Sequence, residues 1–62
     1  MSSPSPKFEV FQDCGGEWRW RLKASNGEIV AGGEGYKTKA GAIRGTQALQ
    51  RAAKLARVIV RP

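Results

Sequence analysis

The sequence has 62 residues, 40% of them hydrophobic and 8% aromatic, so it encodes one small domain with a thin core. Lysine and arginine outnumber the acids 11 to 5, which gives a net charge of +6 and a pI near 10.3. One cysteine excludes an intrachain disulfide, and the lack of histidine removes the commonest catalytic base and metal ligand. No apolar run approaches the roughly 20 residues of a membrane span, and no signal-peptide apolar region is present. We therefore expect a soluble, basic, cytoplasmic domain without metal or cofactor.

The first part of the chain predicts a disordered lead-in and two β-strands. Residues 1–6 read MSSPSP and offer nothing to bury, so the domain itself is predicted over residues 7–62. Residues 7–12 (KFEVFQ) alternate apolar and polar side chains, which predicts a strand. Residues 17–24 (EWRWRLKA) alternate throughout, with both tryptophans on one face, and predict a half-buried strand.

The rest of the chain predicts a third strand, a helix and a short β segment. Asn26-Gly27 favours a two-residue type I′ turn. The turn leads into a predicted strand over residues 28–35, which contains several glycines. Residues 40–56 are rich in alanine and other good helix formers. Residues 57–61 (RVIVR) return to β-branched side chains and can form a short fourth strand. The predicted fold is α+β, a three-stranded antiparallel β-meander packed on one α-helix (β-β-β-α).

The turns also predict which residues face each other. A two-residue turn sets three pairs on the core face of the last two strands: Ala24 with Ile29, Leu22 with Ala31, and Trp20 with Gly33. Gly33 then leaves the space that the Trp20 indole needs. Placing the apolar residues of the first strand on the same face requires an odd number of loop residues. This predicts a glycine bulge at Gly15 or Gly16.

The combination of residues 18–24 (WRWRLKA), 26–31 (NGEIVA) and 33–41 (GEGYKTKAG) resembles the YegP-like family of small bacterial and archaeal proteins. The resemblance runs from about Lys7 to Ala53. It implies a β-β-β-α unit that often occurs twice in one chain, and no established biochemical function. Because this chain carries one copy, the resemblance implies a homodimer. The basic end of the chain departs from the family, whose members tend towards an Asn-Ala-Pro turn and acidic residues there.

The predicted sheet gives an independent reason to expect self-association. Three strands leave sheet edges with unpaired N–H and C=O groups. The spare apolar residues Val58, Ile59 and Val60 can pair with such an edge, either in their own subunit or in a twin. Phe11 falls on the outer face of the sheet and is a further candidate dimer contact.

The positive charge is concentrated in the second half of the chain. The first 34 residues sum to −1, whereas no acid lies in residues 35–62. That half holds seven cations: Lys37, Lys39, Arg44, Arg51, Lys54, Arg57 and Arg61. Such asymmetry is typical of proteins that bind nucleic acid or another polyanion. The alternative is a solvated helix face with cations favourably near the helix C-terminus.

Four further features favour structural interpretations over functional ones. A helix N-terminus capped by Thr38, with lysines nearby, can hold a small anion, but Tyr36 stands where a P-loop requires glycine. Both tryptophans fall on the core face, which favours packing over base stacking. Cys14 lies in a turn with no adjacent cation to activate it. Two of Glu9, Glu17 and Glu34 could act as an acid pair for hydrolysis, but Arg19 between Glu9 and Glu34 favours an exposed ion row. We therefore expect no enzyme.

These inferences predict a non-catalytic, homodimeric interaction module whose helix and C-terminus present positive charge to an anionic partner. Nucleic acid is one candidate partner. The alternative is a structural or stress-associated protein whose specific partner is itself and which has no nucleic-acid role. A third hypothesis is small-anion binding at the helix N-terminus.

Overall fold

The computed structural model describes residues 5–62, in which three strands are followed by one helix. The elements are β1 (Lys7–Gln12), β2 (Trp18–Lys23), β3 (Ile29–Gly32) and α1 (Lys39–Leu55). The strands form one antiparallel sheet in the order β1-β2-β3. The predicted α+β meander is therefore confirmed, with a shorter third strand than the sequence indicates. Residues 1–4 of the predicted lead-in lie outside the described residues.

The first hairpin loop follows the prediction. An odd number of residues separates the paired Gln12 and Trp18. The N–H of Gly16 donates to the carbonyl of Asp13 (3.1 Å), and the N–H of Asp13 donates to the carbonyl of Glu17 (2.8 Å). Gly16 has a φ of 87°, a conformation that costs glycine nothing. The result is a three-residue loop closed by the predicted glycine bulge.

The second hairpin loop corrects the predicted turn type. A type I′ turn needs positive φ at both Asn26 and Gly27, but among the described residues other than glycine none has a positive φ. The N–H of Gly27, whose φ is 88°, donates to the carbonyl of Ala24 (2.9 Å). The loop is therefore a three-residue one that ends in a glycine bulge, like the first.

This loop changes the register at one end of the β2–β3 pair. Two of the three predicted pairs are confirmed: Leu22 with Ala31, and Trp20 with Gly33. At the loop end, however, Lys23 rather than Ala24 lies opposite Ile29. The reason is that the longer loop is followed by an irregularity between Leu22 and Lys23, where the register shifts.

The core is small and is centred on Trp20, whose side chain is 8% exposed. The Phe8 ring meets the indole edge-on, with 5.6 Å between the ring centroids. A Cβ atom at Gly33 would overlap the indole, so the predicted role of this glycine is confirmed. On the helix side, Ala42 and Thr46 are buried. The predicted assignment of Trp20 to the core is therefore correct.

Helix α1 begins at the predicted cap but packs over only part of its length. The Thr38 hydroxyl accepts the N–H of Gly41 at 3.0 Å, which satisfies one free donor of the first turn. The helix contacts β2 and β1, and every residue after Leu49 is exposed. At about 100° per residue the sequence predicts that Ala42, Gly45, Leu49, Ala53 and Ala56 face the sheet. This stripe is wrong at its C-terminal end, where Ala53 and Ala56 are exposed.

The C-terminal segment (residues 56–62) forms no helix or strand in the described chain. The predicted fourth strand is thus not formed within a single copy. Val58, Ile59 and Val60 are 93%, 62% and 89% exposed. A strand is stabilised by backbone pairing with a neighbour, and this segment pairs with no strand of its own sheet.

Candidate polyanion-binding surface

All seven cations predicted as anion contacts are exposed. Three of them, Arg44, Arg51 and Lys54, are spaced at seven and three residues along α1 and therefore share one face of the helix. Ala42 and Thr46, which face the sheet, are buried. At a rise of 1.5 Å per residue the three cations span about 15 Å of the helix axis. We call Arg44, Arg51 and Lys54 the outer helix face.

Three of the four cations of the sheet differ from those of the helix, because carboxylates neutralise their charge. The Nε atoms of Arg19 and Arg21 lie 2.7 Å from Asp13 Oδ2 and Glu9 Oε1, respectively. Lys23 Nζ lies 3.7 Å from Glu9 Oε2. Among the described residues, every ion pair lies on the sheet and its first loop, and none includes a cation of residues 35–62. The paired cations of the described residues therefore all lie on the sheet, where only Lys7 at the start of β1 has no such pair.

The partners on the sheet differ from the predicted ion row. The strand register sets Glu9 opposite Arg21, so Glu9 pairs with Arg21 and not with Arg19. Arg19 instead contacts Asp13 and, at 3.7 Å, Glu17. Asp13 is not among the residues predicted from the sequence, although an aspartate just before a glycine-rich turn is a recognisable signal for loop hydrogen bonding.

These contacts lower the pKa values of two carboxyl groups. The hydrogen bond from the Arg21 side chain is the main cause of the lowered pKa of Glu9. For Asp13, the hydrogen bond from Arg19 is the largest cause of a lowered pKa, followed by the backbone N–H groups of Glu17 and Gly15. Both carboxylates are thus held in the charged form that neutralises the sheet arginines.

The helix N-terminus is capped in part by its own chain, at one first-turn N–H group. Besides the cap at Gly41, the N–H of Ala42 donates to the Thr38 carbonyl at 3.2 Å. Lys37 and Lys39 flank this turn and are exposed. The two lysines add positive charge near the start of the helix, but the geometry alone does not make this turn an anion site.

The aromatic side chains of the described chain are all buried or half-buried. Trp20 donates from Nε1 to the Tyr36 hydroxyl at 3.4 Å, so this hydroxyl has a protein partner. Phe11 lies on the outer face as predicted, but the Arg21 guanidinium covers it at 4.7 Å from the ring centroid. Its assignment as a dimer contact stays a prediction. No described aromatic residue offers a free platform for base stacking.

Three further candidates are a reactive cysteine, a metal site and a membrane-spanning helix. Cys14 is a free, exposed thiol in the first hairpin loop. No three His, Cys, Asp or Glu side chains of residues 5–62 come together as a metal site would require. No helix among the described residues is long and apolar enough to cross a membrane.

The fold and the separated charge define a small β-β-β-α domain with a neutral sheet and a basic helix. This chain belongs to the family described as a domain of unknown function, DUF1508, whose model matches residues 13–59. It is the same small domain as the YegP-like family, so the resemblance drawn from the sequence is confirmed.

Curated relatives and a solved structure agree with this assignment. The chain is 50% identical over 54 residues to a UPF0339 protein of Methanosarcina acetivorans, which covers 87% of this chain and 93% of that protein. It is 53% identical over 45 residues to a UPF0339 protein of Agrobacterium fabrum, 73% of each chain. An NMR solution structure of a protein from Haloferax volcanii aligns with a TM-score of 0.81 and 42% identity, covering 94% of this chain and 98% of that one.

Proposed function

We propose that this protein is a non-catalytic, homodimeric interaction module that binds an anionic partner through its outer helix face. The observation that carries the proposal is the separation of charge. Three of the four cations of the sheet, Arg19, Arg21 and Lys23, are paired with carboxylates, whereas those of the outer helix face are exposed and have no acid near them in sequence. An uncompensated positive surface attracts polyanions and accelerates their association.

Nucleic acid is the partner that we would test first. Because no described aromatic side chain is free to stack on a base, the contacts would be directed to phosphates and would tolerate different sequences. Such contacts release counterions, so about six of them would weaken binding roughly a thousandfold between 50 and 200 mM salt. An acidic protein surface would give a weaker dependence on salt and no preference for oligonucleotides.

Fluorescence anisotropy with labelled single- and double-stranded oligonucleotides tests this proposal. We expect micromolar binding at about 50 mM salt and the steep loss at 200 mM. Arg44→Gln with Arg51→Gln should weaken binding at least about tenfold, since each removes one phosphate contact. The matched control is Lys7→Gln with Lys23→Gln, which removes the same charge from the sheet and should leave binding nearly unchanged. No binding at the lower salt, or an equal loss in both variants, would reject the proposal.

The homodimer is supported by apolar surface that a single copy leaves uncovered. Ile29 and Val30 are each 58% exposed, and Leu55 is 84% exposed. The three apolar residues of the C-terminal segment are exposed as well. The radius of gyration is 13.5 Å, whereas a compact chain of this length has about 10.6 Å. Apolar surface of this extent in so small a protein is typical of an interface.

The same apolar surface favours a second candidate function, a structural protein whose specific partner is itself. Both functions require the dimer, so only the binding of a polyanion distinguishes them. Val58→Asp with Ile59→Asp should dissociate the dimer in either case, as measured by sedimentation velocity. If oligonucleotides and other polyanions fail to bind while the dimer persists, the self-associating function replaces the first.

A further inference from the structure

We infer that a cleft beside the second hairpin loop binds a small phosphate group, either inorganic phosphate or the phosphate of a monoester. The cleft has a volume of about 180 Å³ and is lined by Ser5, Lys7 and residues 23–27. We call it the lysine cleft. The inference goes beyond the proposed function, because the cleft shares no residue with the outer helix face. Three observations carry it: an unfavourable pair of lysines, an excess of positive charge, and hydrogen-bond donors without partners.

The first observation is that the strand register sets two lysines against each other. Lys7 of β1 lies directly opposite Lys23 of β2, so both side chains leave the same face of the sheet, and both line the cleft. Like charges at facing strand positions destabilise a pair of strands. The next pair on this face, Glu9 with Arg21, has the opposite charges that stabilise a sheet. The packing of the sheet gives no reason for two lysines at this end, whereas an anion bound between them removes their repulsion.

The second observation is that the carboxylate nearest to these lysines does not balance the charge. Glu9 Oε1 lies 2.7 Å from Arg21 Nε, and Glu9 Oε2 lies 3.7 Å from Lys23 Nζ. Lys7 has no ion pair among the described residues, and no residue that lines the cleft is acidic. Three cations therefore share one carboxylate, which leaves an excess of two positive charges at this end of the sheet.

The third observation is that polar groups around the cleft can donate hydrogen bonds and have no acceptor. Asn26 Oδ1 accepts the N–H of Glu28 at 3.0 Å, which leaves the Nδ2 group for another partner. Neither this group nor the hydroxyls of Ser5 and Ser25 have a hydrogen-bond partner among the described residues. The lysine ammonium groups can only donate. Together these groups suit a ligand that offers several acceptor oxygens.

Size and charge favour phosphate among the small anions. Pockets for drug-sized ligands have volumes of about 300–1,000 Å³, so the lysine cleft admits one small group. A phosphomonoester carries a charge of about −1.5 to −2 at neutral pH and offers three acceptor oxygens. This charge matches the two excess positive charges. A carboxylate carries a single charge and would leave half of the excess uncompensated.

The lysine cleft is separated from the outer helix face by the sheet. Helix α1 packs on the face that carries Trp20, where Gly45 approaches the indole. Lys7 is adjacent to the core residue Phe8, and Lys23 follows Trp20 by three positions, so alternation places both lysines on the other face. A polyanion on the outer helix face therefore does not reach the cleft, and substitutions at one surface should not affect the other.

Amide chemical shifts measured by NMR during a titration with inorganic phosphate test the inference. At about pH 7.5 and constant ionic strength, we expect saturable shifts at residues 23–27 with a dissociation constant on the order of 1 mM. Lys7→Gln with Lys23→Gln should weaken binding at least about tenfold, because two charge-assisted hydrogen bonds are lost. The matched control is Arg44→Gln with Arg51→Gln, which removes the same charge from the helix and should bind phosphate like the native chain. Both variants should keep the dispersed amide spectrum of the folded chain, since neither changes a buried side chain.

Glycerol 3-phosphate distinguishes the two sources of the phosphate group. If it binds at least about tenfold more tightly than inorganic phosphate, the cleft recognises a phosphomonoester. If the two bind equally well, the cleft recognises the phosphate group alone. Either result supports the inference, provided that the shifts are lost in the lysine variant.

Three results would overturn the inference. One is the lack of a saturable shift up to about 50 mM phosphate, and another is an equal affinity in the native chain and the lysine variant. The third is a loss of the shifts only in the helix variant, which would place phosphate on the outer helix face. A chain that binds phosphate in the cleft but no oligonucleotide would reject the proposed function alone, and the reverse result would reject this inference alone.

Discussion

At position 33 the chain requires glycine because the Trp20 indole occupies the space of a side chain. We predict that Gly33→Ala lowers the free energy of unfolding by about 1–3 kcal/mol, since an overpacked core must displace a ring that is otherwise well placed. Gly32→Ala is the control, because its Cβ would lie 3.9 Å from the nearest atom, the Trp20 carbonyl oxygen. The control should change stability by less than about 0.5 kcal/mol. Urea denaturation, followed by tryptophan fluorescence, measures the free energy of unfolding of both variants. If both variants lose similar stability, contact with the indole is not the reason that position 33 requires glycine.

Asp13 is a second single residue with a measurable role, because it holds the first hairpin loop and neutralises Arg19. Its Oδ1 accepts the N–H groups of Gly15 and Glu17, each at 2.9 Å. Its pKa is lowered in the folded state, mainly by Arg19. A carboxyl group with a lowered pKa stabilises the fold above its ordinary pKa, and this stabilisation is lost as the pH falls through the folded pKa.

We therefore predict that Asp13→Asn is less stable than the native chain at neutral pH and that the difference narrows in acid. Asparagine keeps the Oδ1 acceptor of the loop, so the variant removes the charge together with the Oδ2 acceptor of the Arg19 hydrogen bond. Thermal melts of both proteins between about pH 7 and pH 2 test this, and the gap in Tm should shrink below about pH 4, the ordinary range of aspartate. A gap that stays constant over this range would show that the carboxylate charge contributes nothing.

At the scale of elements, the two hairpin loops depend on glycine for their backbone and not for space. Gly27 has a φ of 88°, and a Cβ atom there would have nothing within 4 Å. We predict that Gly27→Ala costs about 1 kcal/mol through the left-handed backbone alone. Gly27→Asn should cost less, because asparagine tolerates this region better. Urea denaturation curves measure the loss of stability in each variant. Equal losses for alanine and asparagine would contradict this explanation.

The sequence predicted the elements better than their connections. Alternation over residues 7–12 and 17–24 is a direct consequence of strand geometry, so both strands and their inward faces were predictable. Asn26-Gly27, in contrast, is compatible with a type I′ turn and with a longer bulged loop. Only the backbone angles separate the two. Residues 57–61 have strand composition, but a strand also needs an edge, and sequence alone does not say in which copy that edge lies.

At the scale of the whole molecule, the candidate surface was predictable from charge alone, but its contrast with the sheet was not. The absence of acids after residue 34 already indicates an uncompensated positive half. That the sheet cations are neutralised depends on the register, which sets Glu9 opposite Arg21. It also depends on Asp13, whose loop position brings it to Arg19. These pairs leave Glu28 and Glu34 as the two acids without an ion-pair partner among the described residues.

A molecule that leaves this much apolar surface uncovered should depend on its partner for stability. Unfolding of a dimer releases two chains, so its Tm rises with protein concentration. With the usual entropy of unfolding per residue, a dimer of this size should gain about 5 °C in Tm for each tenfold increase in concentration. Differential scanning calorimetry from about 10 to 1,000 μM measures this slope. Val58→Asp with Ile59→Asp should abolish the slope and lower the Tm at high concentration, because the single copy then retains only the core around Trp20. A native Tm that does not change with concentration would mean that the core around Trp20 stabilises one copy by itself, and the exposed apolar segments would then need a different partner.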